Sequence, residues 1–441
     1  MRQRNRATLF LIIAAVLTGA YLLGITFNVS PWLRGPEEWR WPYVIPVGVI
    51  RNWLPLVICA AYLFFIYWWD KRALTRRRTV LALLLGAVMT PVLQLALLYL
   101  DHDDVRSQLF LRTVSDLSGG FYNVGALVTN NADFLGNFAA RMSGYPIHPQ
   151  RHPPGLPLLF ALTRQFFDQF PSLASSISSG LRPYQCHNLE LMVLPNSAIA
   201  AAAIQMFVPV ALGFGAWAVY FLGREVYDRK TAVRAALLWP LLPSVALWAT
   251  RWNHIYALFT LLAFLFFHLA LVRRRAWLMI VSGLIVSLAS FFSFGNVVII
   301  GFLGLYALIW FVAQRERPSF TWLLGAAALF FLGLSLVWLF VLLVYDLSLL
   351  NVWNTAMGTH LGIGRSYTTW LFYHLYDFFV FLGIPLFVFW LAQTVRAVRQ
   401  WSQGSRDVLA ISFAIALILF NLSGLSQGEV ARVWAFLLPL A

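Results

Sequence analysis

Three groups of carboxylates in this chain have the makings of an acid–base site. The stretch "SDLSGGFYNVGAL" sets Asp116 ahead of Phe121, Tyr122 and Ala126. "DHDD" places Asp101, Asp103 and Asp104 at the end of an apolar run, and "RGPEEWRWPY" holds Glu37 and Glu38. A carboxylate beside a bilayer is partly desolvated, gains proton affinity and can take a proton from a hydroxyl. Each group also has a plain structural use. Asp116 can cap a helix, "DHDD" can be a solvated helix end, and Glu37 with Glu38 a surface turn. A second stretch, "YPIHPQRHPPGLPLLFAL", sets His148, Arg151 and His152 among prolines just ahead of a short apolar segment. Further along stand Arg251 with His254, then His360, Arg365, His374 and Asp377. His374 and Asp377, three apart, share a helical face.

The elements that must hold these groups are membrane helices. Of the 441 residues 60% are hydrophobic and only 11% charged, against roughly 25% charged in soluble domains. This predicts an all-α polytopic membrane protein. Apolar runs place spans near 8–28, 47–69, 79–100, 197–222, 232–250, 255–272, 277–294, 296–313, 321–344, 372–394 and 407–424. The first run lacks a convincing cleavage site and reads as a retained span. The net charge of +15 does not point to nucleic acid, because the arginines cluster in short loops between apolar runs. These are 70–78, 223–230, 273–275, 314–318 and 396–407; with Arg2, Arg4, Arg6 and their flanks they hold about 20 of the 32 basic residues. The positive-inside bias puts them in the cytoplasm. The longer loops 29–46, 101–196, 345–371 and 425–432 then face outward, and that outer face as a whole holds about 12 of the 17 acidic residues. Trp32, Trp39, Trp41, Trp252, Trp353 and Trp434 fall near that outer boundary, as an aromatic belt would.

Loop 101–196 must start and finish outside, so 154–167 is not a simple span. It is expected to lie in the outer interface, with Pro153 and Pro154 at its start. Residues 133–142 gather Phe134, Leu135, Phe138 and Met142 on one face, predicting a second interfacial or bundle-packed helix. The chain divides into an N-terminal transmembrane hairpin, 1–75, and a membrane domain, 76–441. The last apolar run, from Val433 to Ala441, is too short to span, so that domain is expected to be cut within a helix. Cys59 lies in an apolar run and Cys186 in a polar loop, which suggests neither a disulfide framework nor a metal site.

No inner loop is long enough for a catalytic domain, and none carries a phosphate-cradling or dinucleotide motif. The spans hold almost no ionisable groups except His268, near the cytoplasmic arginines. Transporters and proton pumps usually need such groups near the midplane. An outer-face site built from the long loops is favoured.

The order of Asp116, Phe121-Tyr122, Ala126 and then His152-Pro153-Pro154-Gly155 resembles the GT-C superfamily of membrane glycosyltransferases, of the protein O-mannosyltransferase and lipid A aminoarabinose transferase type. "GREVYDRK" is similar to that family's inner arginine-rich loop. "GEVARVWAFLLPL", with Arg432, is similar to its outer-face arginine before a final group of helices. The resemblance covers roughly residues 79–441. Two features depart from it. The large outer loop follows the third span rather than the first, and Asp116 is followed by Leu117 rather than a second acid, which leaves "DHDD" open as the acidic element.

The resemblance implies a GT-C-like bundle of about 11–12 spans in the plasma membrane, with its active site on the extracytoplasmic side. It implies a polyprenyl-phosphate sugar donor, membrane lipid around it, and a lipid, glycan or protein acceptor. Asp116 would take the proton of the acceptor hydroxyl, with Asp101, Asp103 or Asp104 as alternatives. Arg432, or Arg151 with His152, would hold the leaving phosphate. Tyr122, His148, Arg251, His254 and Arg365 would line the substrate groove. Arg432 has a plainer use as an interfacial arginine paired to Glu429, and His152 as a turn residue. No cofactor is required, although hard oxygen ligands near "DHDD" could hold a divalent cation. The rival readings are a lipid-linked glycan ligase or polymerase, and a non-enzymatic lipid-glycan flippase or transporter.

Overall fold

The computed structural model describes residues 2–45, 49–101, 104–185, 188–362, 364–403, 407–426, 428 and 430–441. Asp103, Cys186 and Glu429 lie outside the described residues, and of Asp101 only the backbone is described. Helix accounts for 80% of the chain, and no strand occurs among the described residues. The first three long helices are α1 (Arg2–Thr26), α2 (Val49–Asp70) and α3 (Arg76–Asp101). The long loop then folds into α4 (Val105–Val114), α5 (Phe121–Gly125), α6 (Asn131–Gly136), α7 (Phe138–Arg141), α8 (Gly155–Gln169) and α9 (Pro171–Ser179). The rest comprises α10 (Asn196–Val226), α11 (Arg229–Leu238), α12 (Ile255–Val272), α13 (Leu278–Phe292), α14 (Val298–Ala313), α15 (Phe320–Tyr345), α16 (Leu349–Leu361), α17 (Tyr367–Leu382), α18 (Ile384–Gln400) and α19 (Val408–Ser423).

Seven helices among the described residues are long and apolar enough to cross a membrane, or eight if α17 and α18 form one broken span. This is the architecture of a multi-pass membrane protein. Large apolar side chains such as Leu343 and Phe64 remain 74% and 69% exposed, as lipid-facing positions would be. α13 and α15 meet backbone to backbone. A Cβ on Gly283 would lie 2.1 Å from the Phe330 carbonyl, and one on Gly333 2.2 Å from that of Ile280. Small residues at such crossings allow close packing where lipid removes the hydrophobic driving force.

Four expected spans differ from the structure, and one of them, region 407–424, holds a helix of only 16 residues, Val408–Ser423. Region 232–250 is α11, a 3-10 turn Trp239–Leu241 and a short helix Pro243–Leu247, not one rod. Pro240 and Pro243 lack the N–H a continuous ladder needs. Region 372–394 straddles the junction of α17 and α18, which are bent by 110° at Gly383. Region 277–294 holds a helix of only 15 residues, followed by a 3-10 turn Phe294–Val297.

The loops sort into two ends. At one end Arg234 pairs with Asp70 at 2.7 Å, and Arg229 donates to Thr79 Oγ1 at 2.8 Å. There too Arg273 meets Glu225 at 2.7 Å, Arg274 donates to the Glu316 carbonyl and Tyr227 to Asp407. These contacts join all five short basic loops. At the other end Arg251 donates to the Ser118 carbonyl, His360 meets the Leu425 carbonyl at 3.1 Å and the Ser366 amide donates to Glu38. These join loops 29–46, 345–371 and 425–432 to one another, and loop 101–196 to the turn at 250–255. The N-terminal hairpin is bonded to the remainder: the buried Tyr62 hydroxyl donates to the Leu237 carbonyl at 2.7 Å, and Tyr376 to that of Leu33 at 2.8 Å.

Candidate functional site

The turn 115–119 carries Asp116. It follows α4, which is capped by Asp104: that carboxylate accepts from the Ser107 amide at 3.1 Å. Asp116 does not cap the helix that follows it, because the N-cap of α5 is Gly120 and no side chain bonds there. The turn closes through bonds from the Ser118 and Gly119 amides to the Ser115 carbonyl. It leads into α5 through Gly120, whose φ of +67° is left-handed. A Cβ there would lie 2.7 Å from Pro146 Cβ, so the bare glycine lets this turn press against the proline-rich loop.

The proline-rich loop is fastened from within. Gln150 Nε2 donates to the Ser143 and Tyr145 carbonyls at 3.1 and 2.6 Å. His152 Nδ1 lies 2.9 Å from the His148 carbonyl, and the Phe121 ring meets the His152 ring edge to face at 5.3 Å. Pro154 caps α8, whose Leu156, Phe160 and Ala161 are buried, so the expected helix at 154–167 forms. The expected helix at 133–142 forms as α6 and α7 with a break at Asn137, and its four apolar positions are all buried.

Around this loop the basic side chains converge. Arg432, Arg251 and Arg151 all act on His148; with burial as the larger cause, they push its imidazole down to about 4, opposed by contact with the Leu117 backbone. Burial, then His148, Arg432 and His360, push His152 down to about 3. Both rings are thus uncharged at neutral pH, with three guanidinium groups acting on His148 and one of them, Arg432, on His152 as well. That combination offers positive charge to an anion, with imidazoles beside it able to donate or accept a proton. His254 is buried in the turn Trp252–His254, its Nδ1 3.4 Å from the Arg251 carbonyl, and Arg432 and Arg251 are its charged neighbours.

Asp116 faces a different space. It lines a cavity of about 470 Å³ together with Tyr122, Asn123, Tyr145 and Glu190. Burial and the Glu190 carboxylate raise the affinity of Asp116 for its proton. Tyr122 contributes its ring while its hydroxyl donates to the Ala198 carbonyl at 3.0 Å. Arg432 does not line this cavity. Nor do Arg151 and Arg251 line it. The acid and these guanidinium groups meet through the backbone: Leu117 and Ser118, the two residues after Asp116, touch His148 and Arg251.

The remaining candidates have other surroundings. Asp104 is exposed at its cap and does not line the cavity. Arg365 lies over the rings of Trp39 and Trp370, at 5.1 and 5.7 Å. His374 spends both nitrogens on structure: Nδ1 meets Asn421 Oδ1 at 2.9 Å and Nε2 accepts from the Gly428 amide at 3.1 Å. Trp434 packs on that ring at 4.8 Å. With the bond from His360 to Leu425, these contacts pin the segment that carries Arg432. Among the described residues no group of three or more His, Cys, Asp or Glu could hold a metal ion.

Glu190, Asn123 and Tyr145 are site residues that the sequence reading missed. Glu190 is a lone acid in "NLELM", and only the fold brings it beside Asp116. No family model, curated protein or solved structure matches this chain.

Proposed function

We propose that the protein is a GT-C-type glycosyltransferase that moves a sugar from a polyprenyl-phosphate donor to an acceptor hydroxyl. The reaction would occur at the extracytoplasmic side of the plasma membrane, the end opposite the short basic loops. One observation carries the reading: a single turn bears an acid of raised proton affinity into a cavity, while its backbone touches a cluster of three arginines and two neutral histidines. A displacement at an anomeric carbon needs both. The Asp116 carboxylate takes the proton of the acceptor hydroxyl. The acceptor oxygen bonds to the anomeric carbon as the bond to phosphate breaks, and the electron pair leaves on the phosphate oxygen. Arg151, Arg251 and Arg432 supply positive charge for that phosphate in a poorly hydrated place. Nucleotide sugars are too polar to cross a bilayer, so a lipid-carried donor suits a site on that side.

The test is transfer of radiolabelled sugar from polyprenyl phosphate in proteoliposomes. Asp116→Asn should lower the rate by roughly 10²–10⁴-fold, the usual worth of a general base, while the protein stays folded. Undiminished transfer by that variant removes Asp116 from the role. Failure to use any polyprenyl-phosphate sugar removes the reading.

A further inference from the structure

The cavity beside Asp116 has a chemistry of its own. Among the described residues no cation pairs with Asp116 or Glu190, and the charge that acts on Asp116 is a second negative one. The side-chain oxygen of Asn123, which lines the same cavity, is buried and accepts no hydrogen bond. The guanidinium that does line the cavity, Arg141, is bound bidentately to Asp133 at 2.8 and 3.1 Å. Acceptors of hydrogen bonds therefore predominate, and unneutralised charge is negative. Leu127, Leu191 and Leu194 supply apolar wall between them. A buried polar atom without a partner costs free energy unless a ligand or water satisfies it. Volumes of this size suit a small ligand or one unit of a larger one.

We propose that this cavity holds the acceptor, and that the acceptor's bound part is a saccharide unit bearing hydroxyl or ammonium donors and no phosphate. Hydroxyl groups on one edge of a sugar ring match Asp116, Glu190 and the Asn123 oxygen. The C–H face of the ring matches the leucines. Two unpaired carboxylates lining one cavity repel a phosphate or carboxylate on the same ligand. The turn 115–119 thereby divides the reactants by charge: the anionic donor group goes to the arginines, and the donor-rich acceptor goes to the acids. The word acceptor rests on the glycosyl-transfer reading; the selectivity for a non-anionic sugar does not.

The experiment measures binding without a donor lipid, on the full chain in nanodiscs. Radiolabelled methyl glucoside is bound and then displaced by unlabelled methyl glucoside, glucosamine or glucose 6-phosphate. Displacement by glucosamine should be at least as effective as by methyl glucoside, and glucose 6-phosphate should need about tenfold more or beyond. Displacement is read because a phosphate ester bound only at the arginine cluster leaves the label in place. Glu190→Lys should bring glucose 6-phosphate level with methyl glucoside or ahead of it. Asn123→Leu should weaken methyl glucoside binding, with thermal unfolding confirming that both variants are folded. The proposal is overturned if methyl glucoside does not bind. It is equally overturned if glucose 6-phosphate displaces it as well as methyl glucoside does, or if Glu190→Lys leaves the order unchanged. If the displacement order holds but no polyprenyl-phosphate sugar is consumed, the transferase reading falls and the saccharide site stands. If transfer occurs but the order fails, only the acceptor assignment falls.

Discussion

His148 and His152 show how burial among arginines sets a charge state. An unperturbed histidine titrates near 6.5, whereas these two are pushed down to about 4 and about 3 in the folded chain. Between those limits the unfolded chain binds more protons than the folded one. The contribution of the pair is therefore complete above the unfolded value and is lost as pH falls through the folded values. The melting midpoint in detergent should fall as pH is lowered from about 7 to about 4, and replacing both residues by Asn should flatten that dependence. A midpoint with the same pH profile in the double variant would mean that the imidazoles are already charged. The residue types at 148, 151 and 152 were legible in the sequence. Their neighbours Arg251 and Arg432 were legible only as candidates, because nothing along the chain sets their distance from the proline-rich loop.

At the scale of elements, the turn into α5 is the point most exposed to a small change. Gly120→Ala adds a Cβ at a left-handed φ, which costs about 1–2 kcal/mol, and pushes it against Pro146. The substitution should leave helical content unchanged by circular dichroism while cutting turnover, because the turn that bears Asp116 shifts. Turnover equal to wild type would show that this turn does not position the acid. The helices at 133–142 and 154–167 were readable because apolar periodicity and proline placement are local. The broken regions 232–250 and 372–394 were not. Hydropathy averages over a window and does not register that Pro240, Pro243 and Gly383 redirect the backbone inside it.

For the whole molecule, the two-ended arrangement makes a claim about sidedness. A Cys-less protein with Leu189→Cys should react with an impermeant maleimide in intact cells, and one with Glu316→Cys only after permeabilisation. The reverse pattern would invert the topology and with it the proposed donor. Integration of the N-terminal hairpin is tested by two contacts of different worth. Tyr62→Phe leaves a buried carbonyl without its donor and should cost about 1–3 kcal/mol. Asp70→Asn breaks a half-exposed ion pair with Arg234 and should cost about 1 kcal/mol or less. Equal losses in thermal stability would show that the hairpin is held by charge rather than by its buried face.

The sequence by itself determined that this is a helical membrane protein, which loops gather at which end, and which residue types stand in the large loop. Composition and charge act through the bilayer, and their effect needs no knowledge of contacts. The tertiary structure alone decided that Asp116 shares its cavity with Glu190 and not with Arg432, and that His374 serves the backbone of the segment carrying Arg432. Those outcomes depend on distances between helices far apart in the chain, which are set by packing at positions such as Gly120, Gly283 and Gly333.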